Sequence, residues 1–146
     1  VGWLVRKAAG FVNVSITINE YQDDHGVWHI DVDQPGTSEA KVIDGSIADR
    51  EDSIFGRVQE SSRWLHVSEL SETDVEDVFL RQGWLDDELM EARSESAKND
   101  WKQRTIWGFQ NVIDGDKERR THVRKLIIKK GDEVVRATFV YDLQEA

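Results

Sequence analysis

The residues of this chain best equipped for chemistry are aromatic. Six tryptophans stand in 146 residues, at Trp3, Trp28, Trp64, Trp84, Trp101 and Trp107. Trp107 and Phe109 alternate along one extended stretch, and Phe139 and Tyr141 along another. Where barrel strands point alternate residues inward, two such pairs make an aromatic wall that holds flat apolar molecules. The competing explanation is packing, since tryptophan is highly buried on average. Four histidines, His25, His29, His66 and His122, lack zinc-like spacing, so no metal site is expected. His29, Asp31 and Asp33 share one strand face, an arrangement more common for a solvated charged surface than for acid–base work. Thiol chemistry is excluded because there is no cysteine. There is no Gly-x-Ser-x-Gly elbow, phosphate loop or dinucleotide fingerprint, and no cofactor is expected.

These side chains must be positioned by strands. Val12, Val14, Ile16 and Ile18 alternate with polar residues, predicting a half-buried strand over 11–21. Trp28, Ile30 and Val32 predict a second, broken at Pro35-Gly36. Further strands are predicted at 40–48 and 54–64, with Asp49–Asp52 as the turn between them. The C-terminal part predicts three more, at Gln103–Val112, His122–Lys129 and Val134–Leu143, and Asp114-Gly115 is a hairpin signal. Leu89–Ser96 is ambiguous and is assigned as a strand pairing with 101–112. Val1–Gly10 reads as a short helix with a glycine stop, and Ser71–Gly83 as an N-capped helix with an apolar stripe around 72–82. Short strands joined by tight turns predict a mainly β fold, an antiparallel up-and-down barrel with a short N-terminal lid helix and an inserted helix.

A chain of this length makes one domain, 1–146. A net charge of −10 argues against a nucleic-acid surface, which needs a positive field. No apolar run approaches the roughly 20 residues of a membrane span, so no membrane insertion is expected. The absence of cysteine and of a secretory signal points to a cytoplasmic setting, with the chain a monomer or a weak homodimer.

Val1-Gly2-Trp3, then Arg6-Lys7, then the run VNVSITI resemble the end of the lid and the following strand in the intracellular fatty-acid- and retinoid-binding protein family. Phe139-Val140-Tyr141-Asp142 is similar to that family's last strand, and IWGFQNVIDGD to its penultimate hairpin. The sequence also resembles fungal lipocalin-like proteins. The resemblance implies a calycin-like barrel whose first strand is missing before Val1. It also implies a carboxylate clamp of inward arginines and a tyrosine. Tyr141 matches the tyrosine, but Phe139 and Gln110 stand at the arginine positions. A carboxylate buried without a cation is costly, so the expected cargo is uncharged: a lipid, retinoid, terpenoid or polyketide. Arg57, Arg104 and Arg124 remain able to restore an anion site, depending on register.

Two functions follow. The first is a carrier that binds a small hydrophobic molecule with Tyr141, Phe139, Gln110, Trp107, Phe109, Arg104, Arg57, Arg124, Trp28 and Trp3. Burying about 300 Å² of apolar surface gives roughly 7 kcal/mol before association costs. The second is a cofactor-free isomerase, cyclase or dehydratase using the same cavity, with Tyr141, Gln110, Arg104, Arg57 or His122 as its polar groups.

Overall fold

A computed structural model describes residues 16–34, 37–52 and 56–142. Two antiparallel sheets account for most of them. The first contains β1 (Thr17–Gln22), β2 (Trp28–Gln34) and β3 (Thr37–Val42), in that order. The second is a six-stranded meander in chain order: β4 (Ile47–Asp52), β5 (Gly56–His66), β6 (Glu88–Ser96), β7 (Trp101–Asp114), β8 (Lys117–Lys130) and β9 (Glu133–Tyr141). One short helix, α1 (Val75–Leu80), lies between β5 and β6, preceded by a 3-10 turn at Val67–Glu69.

The mainly β, up-and-down antiparallel fold is as the alternating pattern predicts. Leu89–Ser96 is a strand paired with β7. The inserted helix forms where Asp74 caps it, its carboxylate accepting from the Glu76 and Asp77 amides. The N-terminal lid helix, Trp3, the start of the first predicted strand and Pro35-Gly36 lie outside the described residues.

The middle of the chain differs from expectation. The predicted strand over 40–48 is two strands, and Asp49–Asp52 is the last four residues of β4 rather than a turn. The turn falls at Asp44-Gly45. Asp44 Oδ1 accepts from the Ser46 amide at 2.9 Å and the Ser46 hydroxyl at 2.6 Å, and Gly45 takes φ +78°, a conformation that favours glycine. The charged run then pairs across the ladder, Arg57 with Asp49 and Arg50 with Glu60. A charged strand at a sheet edge also resists pairing with other chains.

That turn separates the sheets. The Ile43–Ser62 bridge and a bond from the Gly45 amide to the Ser62 carbonyl join them. Among the described residues the strands therefore do not close into one continuous barrel, whereas the alternating pattern predicts a closed one.

Both faces of the larger sheet are covered in part. Leu65, Leu89, Ile106 and Ile127 point to one face and pack with Leu70 and Leu80 beneath α1. Met90 and Trp107 point to the other and pack with Ile30 and Val32 from the smaller sheet and with Ile43 just after β3. The first is called the helix face below, and the second the aromatic face.

Candidate functional site

Directly paired residues of an antiparallel ladder share a face. His122 of β8 is paired with Phe109 of β7 and Tyr141 of β9. Arg124, two residues on, is paired with Trp107 and Phe139. The two aromatic pairs picked out by alternation thus form one surface, joined through His122 and Arg124. The Trp107, Phe109 and Tyr141 rings each lie 5.7 Å from the His122 ring, centroid to centroid.

Arg124 is the polar centre of this surface. Its guanidinium lies 3.7 Å from the centroid of Trp107 and 5.1 Å from that of Tyr141, a cation held over aromatic faces. Its Nε–H donates to His122 Nε2 at 3.0 Å. Its Nη2 is buried and has no hydrogen-bond partner among the described residues. Burial pushes the guanidinium below its usual range, while Tyr141 and Glu39 act in the opposite direction. Burial also pushes His122 down to about 4, helped by the neighbouring Arg124 charge. His122 is therefore neutral at pH 7, and Arg124 is a cation with a free, desolvated donor.

The smaller sheet completes the surroundings. Lys41 of β3 reaches over Trp107 at 5.6 Å and pairs with Glu39 at 3.6 Å. Trp28 of β2 meets Trp64 of β5 edge to face at 6.4 Å, and Trp64 packs against the core that holds Trp107. Phe109 is 39% exposed, with Arg120 over its ring at 4.3 Å, so the surface opens to solvent at this end.

Three residues expected at the site stand elsewhere. Gln110 lies on the helix face, where its Nε2 donates to the Gln82 carbonyl at 2.8 Å. Arg104 lies on the same face, bonded to Glu91 at 2.8 Å and Asp77 at 2.6 Å. Arg57 is exposed and paired with Asp49 at 3.1 Å. All three occupy the wrong parity for the aromatic face, since a shift of one residue reverses the side a strand residue presents. Of the three arginines weighed from sequence, Arg124 is the one that joins the aromatic residues. Trp64 is one of the six tryptophans the sequence picks out, whereas nothing in the sequence points to Glu39 and Lys41. Only the pairing of strands distant in sequence brings them there, and no local motif marks them.

A groove of about 380 Å³ runs along the helix face beside Glu76, Arg93, Glu95, Lys102 and Lys129. Its lining mixes charged side chains with apolar surface from Ile47 and Ile127, Glu76 pairs with Lys129, and no residue of the aromatic face takes part in it. Among the described residues there is no cluster of three metal-ligating side chains, and no helix long and apolar enough to cross a membrane.

Along nearly its whole length the chain is similar to proteins named as pericyclases. It is 27% identical to the probable pericyclase scpY of Mollisia scopiformis over 151 residues, 97% of this chain and 76% of that protein. It is 26% identical to the pericyclase pydY of Acremonium sp over 149 residues, 96% of this chain and 77% of that protein. No family model and no solved structure matches. These relatives are enzymes by name, which overturns both the carrier reading and the resemblance to fatty-acid- and retinoid-binding proteins. The motifs behind that resemblance are alternating strands and a hairpin, which antiparallel β meanders share regardless of function. The clamp argument for an uncharged cargo also loses its footing, because Gln110 does not reach the aromatic face.

Proposed function

We propose that this chain is a pericyclase that folds an apolar, unsaturated substrate against the aromatic face and polarises it with Arg124. A pericyclic ring closure exchanges π bonds for σ bonds in one cyclic movement of electrons. No proton, hydride or leaving group is transferred. The protein then has two tasks. It must hold the reacting carbons in a near-attack conformation, and it must stabilise charge that builds on a conjugated carbonyl oxygen in the transition state.

Trp107, Phe109, Tyr141, Trp28 and Trp64 provide the shaped wall for the first task. The second falls to Arg124, whose buried Nη2 has no hydrogen-bond partner among the described residues. This donor is the observation that carries the reading, in a chain similar to pericyclases over almost all its length. Donation to a substrate carbonyl draws electron density from the attached double bond and lowers the barrier to attack by a diene. His122 is held neutral at pH 7, and no proton transfer is asked of it.

The test is turnover of linear polyenes bearing a conjugated carbonyl, followed by chromatography with mass detection. The expected product has the mass of the substrate, a shorter retention time and one dominant stereoisomer. A charge-assisted hydrogen bond is worth about 1.5–3 kcal/mol, so Arg124→Gln is expected to lower kcat by roughly 10- to 150-fold. An Arg124→Gln variant as fast as wild type would refute the assignment.

A further inference from the structure

We infer that His122 is a positioning residue for the proposed reaction, fixing the Arg124 guanidinium so that Nη2 faces the substrate. The inference rests on the reading of Arg124 as the donor. A free arginine side chain samples many rotamers, and a mobile donor does little for a transition state. Here two restraints act on one group. The Trp107 ring, 3.7 Å away, restricts movement of the guanidinium out of its place over the ring, and the bond from Nε–H to His122 Nε2, 3.0 Å long, limits rotation. With Nε held, Nη2 is left as the donor without a partner among the described residues.

The same bond assigns the histidine tautomer. Arginine has only donors, so His122 Nε2 must be the acceptor and the ring proton must sit on Nδ1. The Gly108 backbone hydrogen-bonds the ring. Trp107, Phe109 and Tyr141 surround it. The charged and titratable groups around the His122–Arg124 pair are Tyr141 from β9, Glu39 and Lys41 from β3, and Arg120 of β8, which lies over Phe109. An imidazolium here would lose the acceptor and face the Arg124 charge, so the device works only with a neutral ring. The local sequence around His122 says nothing of this role. It arises because β8 lies between β7 and β9.

A double-mutant cycle tests the inference, with His122→Phe, His122→Gln, Arg124→Gln and the His122→Phe/Arg124→Gln pair assayed on a polyene that the wild type closes. His122→Phe keeps a ring but removes the acceptor, and is expected to lower kcat about tenfold with KM within twofold. His122→Gln offers a carbonyl oxygen to Nε–H and is expected to recover at least a third of the wild-type kcat. In the Arg124→Gln background, His122→Phe is expected to cost less than a further twofold. Multiplicative losses, or a His122→Phe variant as fast as wild type, would overturn the positioning role. If Arg124→Gln itself is without effect, the proposed donor fails instead, so the two failures are distinct. Nitrogen-15 NMR of the wild-type imidazole provides a readout independent of turnover: the Nδ1–H tautomer is expected for His122, and the Nε2–H tautomer would refute the inference.

Discussion

Glu91 provides the sharpest test of how the helix face is held together. Its side chain is 1% exposed and accepts hydrogen bonds from Arg63 at 2.9 Å, Arg93 at 3.1 Å and Arg104 at 2.8 Å. Arg104 passes the connection to Asp77 of α1 at 2.6 Å. Burial by itself would raise the Glu91 carboxyl, but the bonds from Arg63 and Arg104 outweigh it and hold the group below its usual range. Glu91→Gln preserves the volume and one acceptor oxygen while removing the charge. Arg63, 44% exposed, keeps Glu69 at 3.6 Å, and Arg93, 57% exposed, turns to water, so each contributes about 0–1 kcal/mol. Arg104, 18% exposed, retains only Asp77. Breaking a buried pair from one side costs about 3–5 kcal/mol, and the retained amide oxygen puts the expected loss near the lower end, about 3 kcal/mol. For a domain near this size that lowers Tm by roughly 6–12 °C. Urea unfolding at pH 7, followed by tryptophan fluorescence, reads it as a lower midpoint with an unchanged slope. A loss below about 1 kcal/mol would show that the network contributes no more than surface pairs do.

Two further outcomes follow from the same geometry. His122 sits at about 4 in the folded chain against 6.5 in its absence, so the unfolded chain takes up the proton first as pH falls. Its contribution is complete above pH 6.5, is lost progressively down to about pH 4, and amounts to roughly 3 kcal/mol. Urea midpoints measured across that window are expected to fall, and His122→Phe is expected to flatten the slope; an equally steep fall in the variant would rule out this histidine as the cause. Gly108→Ala places a methyl group 2.8 Å from both Leu89 Cδ2 and Trp84 Cε3. The Trp84 ring is tied by its Nε1–H to the Leu80 carbonyl at 2.7 Å and cannot retreat freely, so calorimetry is expected to show about 1–3 kcal/mol of destabilisation, while unchanged stability would mean that the ring moves aside at little cost.

Much of the fold is legible in local sequence because alternation with a period of two sets strands directly. The pairing of Trp107 with Phe109, and of Phe139 with Tyr141, is visible that way. So is the inserted helix, from Asp74 and the apolar residues after it. The strand boundaries at 40–52 are not legible locally because a charged run resembles a turn, whereas Asp44 and Gly45 supply the actual turn chemistry. Charge in that run reflects an edge strand with pairing partners on β5. Gln110 is a site candidate through the family likeness and Arg104 through an open strand register, and parity on β7 sends both to the helix face.

By itself, then, the sequence determined that the chain is mainly β, where most strands run, and which aromatic residues alternate together. These follow from side-chain period and turn chemistry, both local properties. Only the tertiary structure decided that His122 and Arg124 stand between the two aromatic pairs, that Arg124 keeps a buried donor without a protein partner among the described residues, and that Glu39 and Lys41 approach from the smaller sheet. Which face a residue presents depends on strand register, and register is fixed by contacts between segments far apart in the chain.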